Sequence, residues 1–165
     1  MIKRTIFLTA LLLGLGTLAS ARQVDFNGTW RLDERASQIT TDDGLEGLGH
    51  HAPQALYITQ TRDGELLISS RLPGSTPRAY RMGGSAWVPA PRPGTGRMPI
   101  SSRIRGLSLV SEASAEVEGE AVSVREVLTM DRSGAKITLE VTTTRSFGPE
   151  TNKLVYTRVG GGGSR

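Results

Sequence analysis

The chain has 165 residues, no cysteine and a small basic excess, 20 Lys and Arg against 16 Asp and Glu. That length suits one domain with a core of its own. Without cysteine no disulfide can form, so packing and hydrogen bonds alone must hold the fold. So modest a charge excess, with no basic helix or stacking motif, speaks against a nucleic-acid partner.

The first residues read as an export leader. Lys3 and Arg4 precede an apolar run from Ile6 to Leu18, and Ala19-Ser20-Ala21 offers the small residues of a cleavage site. The run is shorter than the ~20 residues a membrane span needs. No cysteine follows it, which excludes lipoprotein processing. Residues 1–21 are therefore expected to be a cleaved signal peptide, and the mature chain to begin at Arg22. Loss of Lys3 and Arg4 takes the formal net charge from +4 to +2. The expected location is periplasmic or secreted, and the arginine-rich style suggests a Gram-negative bacterium. No later apolar segment is long enough to span a bilayer.

From Asp25 onward the dominant pattern is period two, which places alternate side chains on opposite faces of a strand. Thr29–Leu32 opens the series. Leu56–Thr61 runs into the turn Arg62-Asp63-Gly64, and Glu65–Arg71 returns. Leu107–Ala115, Ala121–Met130, Lys136–Arg145 and Lys153–Val159 follow. They are joined by Glu118-Gly119-Glu120, Asp131–Gly134 and Phe147–Glu150. Val122, Val124, Leu128 and Met130 share one face of their strand, with Glu126 the exception on that apolar side. Short strands between Gly, Asp and Pro turns predict an all-β, antiparallel up-and-down meander of about eight strands, curled over one core. Residues 22–159 would form this one domain.

Two segments interrupt the rhythm. Asp33–Pro53 reads as a long polar connection, with one helical turn at Glu34–Gln38. Met82–Pro99 is dense in Gly and Pro and reads as a second long loop; such loops are usually functional or disordered. Gly160–Ser164 ends the chain as a flexible tail.

The stretch Phe26-Asn27-Gly28-Thr29-Trp30-Arg31-Leu32 resembles the opening strand of the lipocalin-like (calycin) barrels. It is similar also to small exported bacterial proteins that begin Phe-x-Gly-Thr-Trp-Lys/Arg-Leu, followed by a serine, here Ser37. The resemblance implies a barrel in which Gly28, Trp30 and Arg158 form a structural plug, the arginine packing over the indole. It implies no reaction. The Thr-Asp-Tyr element of many lipocalins is missing.

The chemistry of the side chains points away from catalysis. The histidines are His50 and His51, adjacent in the first long loop, and no serine sits in a nucleophile elbow. No catalytic residue is nominated. Asp42, Asp43, Glu46, His50 and His51 crowd one stretch, but adjacent histidines point apart in extended chain, so a solvated loop is the better reading than a metal site. No cofactor is expected.

The charge distribution is more telling. Between Leu66 and Ser111 there is no Asp or Glu, yet there are seven arginines, and glutamates follow at once from Glu112 to Glu126. Arginine forks suit carboxylates and phosphates. On one reading, Arg78, Tyr80, Arg81, Trp87, Arg92 and Arg97 form a rim at the barrel mouth that grips the anionic end of a partly apolar ligand. On the other, the arginines pair across strands with the glutamates and keep the sheet soluble. The run Pro89–Pro93 also offers a stiff extended peptide to a protein partner. The expectation is a non-catalytic binding protein for a small, partly apolar ligand that is anionic at one end. The alternative is a ligand-free barrel serving as a protein-interaction or cell-envelope module. The oligomeric state is left open.

Overall fold

The computed structural model describes residues 24–40, 52–70, 76–89, 96–117 and 119–160. The expected leader, the histidine-bearing stretch, Arg92 and the residues after Gly160 lie outside the described residues.

Ten strands form one antiparallel sheet. They are β1 Gly28–Leu32, β2 Ala55–Gln60, β3 Glu65–Ser69, β4 Arg78–Arg81, β5 Gly84–Pro89, β6 Arg97–Arg105, β7 Ser108–Val117, β8 Glu120–Met130, β9 Lys136–Arg145 and β10 Gly148–Val159. Each strand pairs with its chain neighbour, except that β1 also pairs with β10 and that β4 and β5 form the two ends of the order. The sheet therefore curls into a nearly closed, lipocalin-like up-and-down barrel. Its seam is tied at one end of the barrel, where Met82 N donates to Gly64 O at 2.7 Å and Gly83 N to Ser102 O at 2.9 Å. Among the described residues no helix is long and apolar enough to cross a membrane.

The strand count exceeds the expected eight or so, and the excess lies between residues 78 and 105. Met82–Pro99 is not one long loop: it contains β5 and the start of β6. Proline is tolerated there because it lacks only a donor, and a strand edge can spare one. Pro89 ends β5, which borders the seam. Pro99 pairs with Trp87 on β5, while the ladder from β6 to β7 begins one residue later, at Ile100 opposite Ala113. Pro89 and Pro99 thus occupy positions where little pairing is lost.

The alternation seen in the sequence becomes an inside and an outside. Leu154, Leu139, Leu128, Leu109 and Ile104 stand in register across β10, β9, β8, β7 and β6. Burying a side chain of this size is worth about 1.5–3 kcal/mol, so such a row is a principal stabilising element. Val124, Ile100, Val88, Leu66, Ile68, Leu56 and Ile58 continue the apolar wall.

Strand direction separates the two ends. The turns at 61–64, 106–107 and 131–135 lie at the end where β1 begins, and Val24 and Phe26 are buried there. Gln60 fastens this entry segment: its Oε1 accepts from Phe26 N at 3.0 Å and its Nε2 donates to Val24 O at 3.0 Å. At the opposite end the chain leaves β1, β3, β5, β7 and β9. After β1 it makes one turn, with Ala36 N donating to Asp33 O at 3.2 Å, and Gln38 then bridges to Lys153. Thr40 next reaches Asn152, whose buried side-chain oxygen accepts from Thr40 N at 2.7 Å.

Candidate functional site

One step along the strands from the leucine row, the interior turns polar. Asn152, Val141, Glu126, Ser111 and Ser102 follow one another in register across β10, β9, β8, β7 and β6. The Ser102 and Ser111 hydroxyls satisfy each other at 2.8 Å. Glu126 has no such neighbour on its own stretch of wall. It reaches instead to β4, 46 residues away in sequence from Tyr80.

On β4 the period-two spacing of Arg78 and Tyr80 sends both side chains inward, where they are 5% and 2% exposed; Glu126 is 2% exposed. Arg78 Nη2 donates to Glu126 Oε1, and Tyr80 Oη donates to Glu126 Oε2 at 2.6 Å. Arg78 Nε donates to Tyr80 Oη at 2.9 Å, which fixes the phenol between its two partners. Both carboxylate oxygens therefore carry a donor. Burial opposes the charge on Arg78, but Glu126 and Tyr80 outweigh it and hold the guanidinium protonated well above its ordinary value. Burial, reinforced by Glu126, raises the Tyr80 phenol far above the usual range, so it stays a donor. A buried polar group is costly unless paired, and here all three members are paired. Tyr156 is different. It is fully buried on β10, its hydroxyl has no hydrogen-bond partner among the described residues, and burial alone raises its pKa.

At the far end, Gly28, Trp30 and Arg158 come together. Trp30 is fully buried and its Nε1 donates to Phe26 O at 3.0 Å. The Arg158 guanidinium lies over the indole and donates to Asn27 O at 2.7 Å and Gly134 O at 2.9 Å. Gly28 holds φ at +140°, which L side chains rarely adopt, and a Cβ there would stand 3.3 Å from Arg158 Nη1, so any other residue would strain the backbone and require the arginine to shift by a few tenths of an ångström.

The residues expected to share a rim do not share a face. Arg78 and Tyr80 point inward. Arg81, Trp87 and Arg97 are exposed on the outer face, and Arg97 Nη2 caps Trp87 O at 2.8 Å. Arg92 lies outside the described residues. Two arginines of the acid-free stretch pair with the glutamates that follow it: Arg78 with Glu126, and Arg103 with Glu112 through a fork at 2.9 and 3.1 Å. The sequence signal for the interior site is Glu126, the one charge on an apolar strand face; its partner Arg78 reads from the sequence as part of a rim at the barrel mouth. Among the described residues, no group of three or more His, Asp or Glu could hold a metal ion. The triad offers recognition of a carboxylate and no activated nucleophile.

No family model matches the chain, and no curated protein does. Solved structures share its fold. A secretory abundant heat soluble protein from Ramazzottius varieornatus aligns at TM-score 0.58 and 13% identity, over 84% of this chain and 98% of that one. Lipid binding protein 8 of Caenorhabditis elegans aligns at 0.55 and 13%, over 83% and 99%. The zebrafish ileal bile acid-binding protein, complexed with cholic acid, aligns at 0.53 and 13%, over 81% and 98%. At such identities the likeness is one of fold.

Proposed function

We propose that the chain is an exported, non-catalytic binding protein that holds one small, mainly apolar molecule inside its barrel. The observation that carries this is the wall itself: ten strands curl almost closed around an apolar interior. Barrel diameter grows with strand number, and about eight strands already leave an interior that side chains can only just fill. The unpartnered Tyr156 hydroxyl supplies a polar contact that the protein itself leaves unused. Proteins described as binding lipid or bile acid are built on the same fold. Arg78, the inward-facing arginine expected to grip an anionic end, already holds a carboxylate, so the apolar body of the ligand is what the barrel recognises.

Native mass spectrometry of protein purified gently from its own envelope fraction tests this. A discrete added mass, released on denaturation and identifiable as an apolar or amphiphilic molecule, is the expected result. A bare mass across several preparations overturns it. That outcome would favour the second function, a protein-docking module, for which the exposure of Trp87 on the outer face near Pro89 is the supporting feature.

A further inference from the structure

We propose that Arg78 and Tyr80 form a carboxylate-binding site whose permanent occupant is the chain's own Glu126, and that Glu126 thereby restricts the barrel to uncharged ligands. This rests on the binding role proposed above and names the ligand class.

The geometry is that of head-group recognition. A guanidinium and a phenol, two residues apart on one strand, converge on the two oxygens of a single carboxylate. The phenol is itself oriented by the arginine. Charge-assisted donors of this kind are the strongest anion ligands a barrel wall can present. Their occupant comes from the opposite wall, from a strand whose other inward residues are apolar: Val122, Val124, Leu128 and Met130.

An incoming anionic ligand faces two unfavourable choices. It can displace Glu126, which then loses both donors beside Val141 and Ser111, its register neighbours; an unpaired buried charge is strongly disfavoured. Or it can lie beside an intact triad, where it brings a like charge into a dry interior without a cation of its own. An uncharged ligand meets neither penalty and still gains the burial of its chain. Glu126 is thus a specificity-determining residue, and removing its charge should convert the same wall into a receptor for carboxylates.

The test is displacement of the uncharged fluorophore N-phenyl-1-naphthylamine by dodecanol and by dodecanoate, at a pH where dodecanoate is ionised. Wild type is expected to bind dodecanol at least tenfold more tightly than dodecanoate. Glu126→Gln keeps the shape and removes the charge, and is expected to shift that ratio at least tenfold toward dodecanoate. Equal binding of the two by wild type, or an unchanged ratio in Glu126→Gln, overturns the proposal and leaves the binding role standing. Failure of the fluorophore and both competitors to bind overturns the binding role, and this proposal with it. Should Glu126→Gln fold poorly, Glu126→Ala gives a second readout. Propionate is expected to raise its Tm saturably, with propanol inert and wild type unresponsive; no effect of propionate overturns the self-occupied site.

Discussion

Arg158 and Trp30 face each other across the β1–β10 ladder, and the guanidinium carbon lies 4.3 Å from the centre of the indole ring. The contact joins three parts of the chain. Arg158 ties the entry segment through Asn27 O and the β8–β9 turn through Gly134 O, while its plane covers the tryptophan. A partly desolvated cation over an indole is worth up to about 2 kcal/mol, and each charged hydrogen bond about 1.5–3 kcal/mol when its carbonyl would otherwise go unpaired. Arg158 is only partly buried, so solvent discounts these contributions, and Arg158→Ala should lower stability by about 2–4 kcal/mol, read as a fall in the guanidinium chloride midpoint. Arg158→Lys should recover less than half of that, because an ammonium cannot stack and fork at once.

Breaking the interior ion pair one member at a time should differ sharply from replacing both. Glu126→Leu leaves the Arg78 guanidinium buried beside a phenol alone, and such orphaning typically costs about 3–5 kcal/mol. Arg78→Met together with Glu126→Leu removes both charges and fills the space with apolar atoms, so the pair should regain most of the loss. Tyr80 then keeps only its own desolvation cost. A double-mutant cycle from denaturant unfolding measures the coupling. Additive losses would show that the two side chains do not act as a pair in solution.

What could be read in the sequence follows from how local each signal was. The strands from Ala121 to Arg145 announced themselves because alternation and turn residues agree, as in Asp131-Arg132-Ser133-Gly134, whose turn closes through Gly134 N to Asp131 O at 3.1 Å. The last strand is longer than the sequence predicts: Gly148, Pro149 and Glu150, expected to form a connection, pair with Arg145, Thr144 and Thr143 as the start of β10. The hairpin of β5 and β6 did not, because Gly84, Pro89 and Pro99 argue locally against strand, and only the seam and the unpaired edge make them harmless. Trp30 and Arg158 could be named together from a resemblance, since both lie in recognisable end strands. The partnership of Arg78 with Glu126 is a long-range fact. No spacing encodes it; the curvature of the sheet creates it.

Asp131 offers a pH-dependent test of the turn beneath Arg158. Its carboxylate accepts from Ser133 Oγ at 2.6 Å, Ala135 N at 2.9 Å and Lys136 N at 3.1 Å. These bonds, that from Ser133 foremost, lower its pKa below the ordinary 3.8. A carboxyl whose pKa is depressed by folding contributes stability that is fully present above its unfolded value and lost as pH falls through the folded one. Asp131→Ala should therefore be less stable than wild type at neutral pH, and the gap should shrink once pH drops below 3.8. Denaturant midpoints of both proteins along an acid series measure it; a gap independent of pH would mean that the carboxylate charge does not hold the turn.

Trp87 separates the interior from the outer face in a single experiment. The chain has two tryptophans, of which Trp30 is 0% and Trp87 56% exposed. Trp87→Phe should remove the red, acrylamide-quenchable part of the emission and leave a blue-shifted, protected Trp30. Because the side chain points outward on β5, stability should change by no more than about 0.5 kcal/mol, the usual scale for surface positions. Binding of dodecanol should be unchanged as well, since Trp87 lies on the outer face while its neighbour Val88 is buried. A drop in dodecanol affinity in this variant, with the fold intact, would move the binding site from the barrel interior to the outer face around Trp87 and Arg97.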